Sequence, residues 1–242
     1  MSDPKMERQA GQLYVAEIWR YSVKSLAGEQ LESAELRADG IAGDRRVLVY
    51  DEQTRRLITS RTHPKLLGLK ATLGSNGEAL INGLPWDDPA SARAIMSAAG
   101  AHARLIEWDG VERFDVLPLL VATDGAIEAF GYDRRRLRPN VIIGGVQGLA
   151  ERGWPGRRVR IGNAAIEFAQ LRARCVMTAY DPDTLTQDHR VLRHIVKQFG
   201  GTVALDTAVL QGGRIAVGDR VEFLREAEED VDLWSPRLQT EK

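Results

Sequence analysis

"RARCVMTAYDPDT", residues 172–184, is the stretch on which the reading of this chain turns. It holds the only cysteine in 242 residues, Cys175, with Arg172 and Arg174 just ahead of it and an Asp181-Pro182-Asp183 turn just behind. In a strand, positions 172 and 174 share one face and 175 points to the other. The two guanidinium groups therefore reach the thiol only if the strand bends or ends near Cys175, and the Asp-Pro-Asp turn suggests that it ends soon after. Two readings stay open on these residues alone. A free cysteine followed by Val176 and Met177 fits a small buried hydrophobe. A thiolate stabilised by arginines would instead be a nucleophile, or a soft ligand for a metal that favours sulfur.

Composition narrows the setting. Apolar residues make up 43% and charged residues 28%, as in an ordinary soluble globular protein, and the formal net charge is −1. No global field recruits nucleic acid or a membrane surface, so anion binding must come from local arginine clusters. One cysteine excludes an internal disulfide framework and a Cys-rich zinc site. No stretch has signal-peptide character or the ~18 consecutive apolar residues of a membrane helix, so a cytoplasmic protein without membrane partners is expected.

The expected fold class is mostly β with a few helices, α+β. Residues 13–95 read as a β module, 96–224 as a second part mixing helices and strands, and 225–242 as a charged peripheral tail. "LYVAEIWRYSVKSL", "EQLESAELRA", "RRVLVYDE", "RRLITSR" and "LGLKATLG" read as strands, and "SNGEALINGLPW" as a hairpin with Asn-Gly turns. "DDPASARAIMSAAGA" is alanine-rich and reads as a linker or short connecting helix. In "ATDGAIEAFG" a helix is capped by Thr123 or Asp124 and stopped by Gly131. "RPNVIIGG" is a short apolar strand, and residues 157–180 are a long β-like stretch broken at Gly-Asn. "DHRVLRHIVKQFGG" is an amphipathic helix capped by Asp188, with Val191, Leu192, Ile195, Val196 and Phe199 on its apolar face. The segment from 202 closes with strands joined by Gly-Gly and Gly-Asp turns.

The chemistry-bearing motifs are short. There is no GxSxG elbow, phosphate-loop lysine motif or HExxH, and His63, His102, His189 and His194 form no metal-ligand spacing. What remains is "SVKSLAG", "GIAGDRR", "ITSRTHP", "LRPN" and "RARC", each beside a strand. All five carry a cation, four of them arginine, presented with Ser, Thr or Asn donors and nearby glycines. That combination suits a phosphate or a polar heterocycle approached closely by backbone. Each cluster alone also fits a solvated turn.

Taken in order, the motifs "YSVKSLAGE", "GIAGDRR", "LITSRTHPKL", "RLRPNVII", "RGWPGRRVRIG", "RCVMTAYDPDT" and "GRIAVGDRVEF" resemble the MOSC family. The arrangement is similar to an N-terminal MOSC-associated β domain followed by a MOSC domain, as in the amidoxime-reducing components and their bacterial relatives. The resemblance spans about residues 13–224 and implies a β-barrel-like MOSC core beside the N-terminal β domain. It also implies a molybdenum cofactor (molybdopterin with Mo) held between them, with Cys175 ligating the metal. Lys24, Ser25, Arg45, Arg138 and Asn140 match the residues that contact pterin and phosphate. Arg61 and Thr62 fall in the matching "TSR" segment, and Arg174 precedes the cysteine.

The chain departs from the family where Thr-Thr-Val-Asp-Pro-Asp-Thr-Gly is common. Here Thr178-Ala179-Tyr180-Asp181-Pro182-Asp183-Thr184-Leu185 loses the second threonine and the glycine. "ATDGAIEAFG" replaces a serine-rich stretch, and Glu151 stands at a shifted spacing from its expected place. The implied function is an oxidoreductase of the amidoxime-reducing type. It would reduce N-hydroxylated or N-oxide small molecules with electrons from a flavin, haem or iron–sulfur protein. The rival is a sulfur carrier with a persulfide on Cys175 loaded by a cysteine desulfurase; pyridoxal phosphate is not expected in this chain. A nucleic-acid-binding barrel is disfavoured by the neutral charge balance and the lack of interleaved aromatics.

Overall fold

The computed structural model describes residues 11–225; the expected charged tail lies, but for Arg225, outside them. In chain order the elements are β1 (Tyr14–Arg20), β2 (Glu29–Leu31), β3 (Ser33–Arg37), β4 (Gly40–Ile41), β5 (Val47–Asp51) and β6 (Arg56–Ile58). Next come β7 (Ala71–Leu73), β8 (Ala79–Ile81), β9 (Leu84–Pro85), α1 (Pro89–Ala99), β10 (Ala103–Glu107), β11 (Leu119–Thr123) and α2 (Asp124–Phe130). The chain then runs through β12 (Val141–Gly144), β13 (Arg158–Ile161), β14 (Ala164–Ala173), α3 (His189–Phe199), β15 (Thr202–Gln211), β16 (Gly213–Ala216) and β17 (Val221–Phe223). The fold is mostly β with three α-helices among the described residues, as expected. No helix there is long and apolar enough to cross a membrane.

The largest sheet has eight strands in the order β17-β13-β14-β15-β11-β12-β1-β2. Only β11 and β12 run parallel, because α2 carries the chain back across the sheet between them. Both strands are buried on both faces, and their apolar residues divide with period two. Leu119 and Val121 join the main core with Ile18, Phe168 and Leu205, while Leu120 and Ala122 pack on the other face with Ile142 and Ala204. A further cluster sits behind that face, where Phe130 and Leu137 meet Val191, Ile195 and Phe199 of α3.

A separate core is built from residues 23–105, around Val23, Leu26, Val49, Leu66, Ile81 and Ile95. It packs the β10-β5-β6 and β7-β8-β9 sheets against α1. The hairpin turn before β9 places Asn82 and Gly83 at φ of 51° and 86°, the left-handed pair that a two-residue hairpin turn needs.

Four local expectations change. "EQLESAELRA" is two strands, not one: the chain bends at Glu32, so that β2 pairs with β1 and β3 with β16 and β4. In "LGLKATLG" only Ala71–Leu73 is strand, after a 3-10 turn that Pro64 initiates. The alanine-rich segment is a helix capped by Asp88, but Ile95 and Ala99 are core residues and β10 behind it pairs with β5, so it is packed structure rather than a linker. On α3, Val196 is 59% exposed, because Val191, Ile195 and Phe199 at four-residue spacing fill the buried stripe and 196 lies one position round the helix.

Phe168 is fully buried in the main core and stacks on Trp154 with ring centroids 5.2 Å apart. Phe168→Ala is expected to cost about 3–5 kcal/mol, measured as a lowered midpoint in urea denaturation. A loss under about 1 kcal/mol would mean that the site collapses without a cavity.

Candidate functional site

The end of β14 decides the site. Its pairing with β15 is irregular between Leu171 and Ala173, and the strand stops at Ala173. The alternation of faces is broken there, so Arg172, Ala173, Arg174 and Cys175 all line one pocket. Cys175 is half-buried and extended, and it caps the 3-10 turn Val176–Ala179. Its carbonyl accepts hydrogen bonds from Thr178 N at 3.1 Å and Thr178 Oγ1 at 2.9 Å, which fixes the backbone beneath the thiol.

The other walls come from the segments after β1, before β5 and before β12. Lys24, Ser25, Arg45, Arg61, Arg138 and Asn140 all line the same pocket as Arg174 and Cys175. Thr62 does not: its hydroxyl donates to Thr59 O and contacts His63 Nδ1 on an exposed turn. Three lining residues, Ser25, Arg45 and Arg138, have positive φ of 74°, 51° and 57°. Left-handed backbone costs a non-glycine residue on the order of 1 kcal/mol or more, so these side chains hold their places against a local preference.

Asn140 is buried, and its carboxamide is already engaged. Oδ1 accepts from Leu120 N at 3.1 Å and Arg45 Nη1 at 3.3 Å, while Nδ2 donates to Trp19 O at 3.3 Å. Tyr21 lies between Arg45 and Arg138, whose guanidinium carbons sit 5.0 Å and 4.2 Å from its ring centre. Its hydroxyl donates to Pro139 O, and burial pushes its pKa up to about 12. Gly28 makes room for this ring: a Cβ there would stand 2.5 Å from Tyr21 Cδ1 and from Arg20 O.

Seven cationic side chains line the pocket. Arg45 pairs with buried Asp44, Arg136 with Asp181 at 2.9 Å, and Arg172 with fully buried Asp206 at 2.6 Å. Lys24 and Arg61 share Asp115, at 3.4 Å and 3.3 Å. Arg138 and Arg174 have no carboxylate partner among the described residues. Arg174 Nη2 donates to Leu137 O at 2.7 Å, but its Nε is buried without a partner, as is Arg138 Nη2. Burial pushes both guanidinium groups down to about 10, so both stay charged at neutral pH. Buried charge without a counter-charge is costly, and an anion supplied from outside would relieve it.

Sequence reasoning missed Asp115. Nothing in "RFDVLP" marks it, because its role depends on partners roughly ninety and fifty residues earlier. Burial alone would raise its carboxyl, but Lys24, Arg61, Arg172 and Arg45 overcome this and hold it below the usual range. Lys24 also donates to Glu112 O at 2.8 Å, so residues 112–115 form a strap fastened to the pocket's own cations. Arg136 was also missed, although the run Arg134-Arg135-Arg136 was a visible signal. Thr123 and Asp124 serve structure: Thr123 caps α2 through Ala126 N, and Asp124 accepts from Gly145 N and Val146 N. Glu151 is 1% exposed against Thr123, and burial raises its carboxyl.

A lowered carboxyl stabilises the fold fully above its unfolded pKa of about 4, and that stability is lost as pH falls through the lower folded value. The melting temperature of the wild type should therefore exceed that of Asp115→Asn near neutral pH, and the gap should close below about pH 4. A gap that does not change with pH would remove the ion-pair account of the strap.

Two family models match the chain. The MOSC N-terminal beta barrel domain matches residues 12–108, and the MOSC domain matches residues 123–222. The mitochondrial amidoxime-reducing component 1 of Mus musculus is 24% identical, over 81% of this chain and 74% of its own length. The mitochondrial amidoxime reducing component 2 of Macaca fascicularis is 23% identical, over 77% of this chain and 72% of its own length. Among solved structures, the YUAD protein from Bacillus subtilis superposes with a TM-score of 0.49 at 15% identity, covering 88% of this chain and 95% of that one. From residue 12 to residue 222, apart from the short strap-bearing connection, this chain belongs to the MOSC family, with the N-terminal β-barrel domain ahead of the MOSC domain.

Proposed function

We propose that the pocket binds a molybdenum cofactor and that the protein is an oxidoreductase acting on N-hydroxylated or N-oxide compounds, with electrons from a separate redox protein. The observation that carries this reading is the pair of buried guanidinium groups without an ion-pair partner, Arg138 and Arg174, each with an unused donor, beside the half-buried thiol of Cys175. The names of the Mus musculus and Macaca fascicularis relatives support the choice of reaction.

The donor set fits such a group. A pterin phosphate brings negative charge and several acceptors into a half-buried site, which requires cationic forks and neutral donors. Arg138 Nη2 and Arg174 Nε are unused buried donors of that kind. Lys24, Ser25 and Arg45 would hold the phosphate, Arg138 and Arg174 the pterin, and the Cys175 thiolate the metal. Asn140 contributes by holding Arg45 and the backbone around it, since its own oxygen is occupied. When bound, the cofactor supplies a metal centre able to accept oxygen and exchange two electrons.

The chain's own residues supply binding and placement. Asp206 fixes Arg172 beside the cysteine, and the Thr178 bonds to the Cys175 carbonyl hold the thiol in position. Overall, the N–O bond of the substrate breaks, two electrons arrive from the partner and two protons from solvent, and the products are the reduced nitrogen compound and water.

Cys175→Ser should leave the thermal melt within a few degrees of wild type, because a half-buried thiol replaced by a hydroxyl disturbs little packing. The same variant should lose molybdenum by elemental analysis and lose reduction of benzamidoxime supplied with a chemical reductant. Full activity in that variant would end the proposal. A mass increase of one sulfur on wild-type Cys175 after incubation with a cysteine desulfurase, without bound molybdenum, would favour the sulfur-carrier reading.

A further inference from the structure

A second cleft of about 400 Å³ adjoins the pocket and shares Arg136, Arg138 and Met177 with it. Its other walls include Trp19, Tyr21, Leu67 and Tyr180. The size suits one substituted aromatic ring. We propose that this cleft holds the uncharged aryl body of the substrate, with its polar end toward Arg138; this rests on the reductase reading above.

The aromatic walls offer rings rather than polar ends. The Trp19 indole N–H is taken by Glu17 Oε2 at 2.7 Å, and the Tyr21 hydroxyl by Pro139 O at 3.2 Å. The cations along the cleft are also mostly engaged. Arg135 bridges Asp133 at 2.6 Å and Asp183 at 2.7 Å, and Arg136 holds Asp181, Thr178 O and Ala179 O. Two donors stay buried and unpartnered, Arg138 Nη2 and Arg136 Nε, and Lys70 also lines the cleft. Aromatic walls beside unused donors match a flat group that carries a hydrogen-bond acceptor at one end.

Leu185 stands next to the cleft. It has a φ of 58°, in the region that favours glycine, and its Cδ1 stands 3.0 Å from where a Cβ of cleft-lining Gly68 would be. A leucine is held there despite its backbone preference, and its side chain packs against cleft-lining Gly68 from outside the cleft's own lining.

The test uses two variants on the full protein, Trp19→Ala to remove a wall and Ala27→Trp to fill the cleft. Saturation-transfer NMR with benzamidoxime measures binding independently of activity. Wild type should show ring-proton transfer that Ala27→Trp abolishes. The KM for benzamidoxime should rise about tenfold in Trp19→Ala, the scale of a lost aromatic contact, while kcat/KM for hydroxylamine and the molybdenum content stay within about twofold. No NMR transfer in wild type, or equal effects on hydroxylamine and benzamidoxime, overturns the cleft. Ring transfer lost in Ala27→Trp, from a wild type that reduces neither compound, upholds the cleft and sinks the reductase reading instead.

Discussion

The carboxamide of Asn140 joins segments that lie far apart in the chain. Through Leu120 N, Trp19 O and Arg45 Nη1 it ties the start of β11, the end of β1 and the loop before β5 to the start of β12. Its backbone adds to this, donating to Leu120 O and accepting from Trp19 N, each at 2.7 Å. A buried carboxamide satisfied on both ends is a high-stakes joint, because losing any partner leaves a polar group stranded. The walls of the pocket converge because these segments are pinned to one side chain.

That joint makes room for an unusual charge arrangement. Five pocket cations are matched by Asp44, Asp115, Asp181 and Asp206, each in a different part of the chain. The two left unmatched, Arg138 and Arg174, are held by backbone and aromatic contacts: Arg138 over Tyr21, Arg174 on Leu137 O. Burying such charges without an ion pair is costly, and both keep a donor unused. Strain tells the same story, since Ser25, Arg45 and Arg138 occupy left-handed backbone around one cavity.

Much of this was legible in the sequence because it is local. Period-two and four-residue apolar patterns gave the strands and α3, and Thr123 and Asp188 cap helices as their side chains dictate. The cluster residues Lys24, Ser25, Arg45, Arg61, Arg138, Asn140, Arg174 and Cys175 line one pocket. Thr62 shares their motif yet faces away, since a turn that presents Arg61 inward commits the next hydroxyl to Thr59 O. Asp115 was invisible because an acidic residue in a short connection carries no periodic or spacing signal. The split of "EQLESAELRA" was hidden too: an alternating pattern cannot reveal that the chain bends at Glu32 to serve two sheets.

The sequence by itself determined the element types, the helix caps, the short cationic motifs and their order along the chain. These depend on side-chain chemistry within a few residues. It could not determine whether Arg172 and Cys175 act on the same space, because strand alternation sends them apart. Only the tertiary structure decided that, by an irregular β14–β15 register that ends β14 at Ala173 and turns both into one pocket. The same holds for the counter-charges. Asp44 adjoins Arg45 in the sequence, but which of the other cations is paired depends on Asp115, Asp181 and Asp206, which long-range packing brings within about 3 Å.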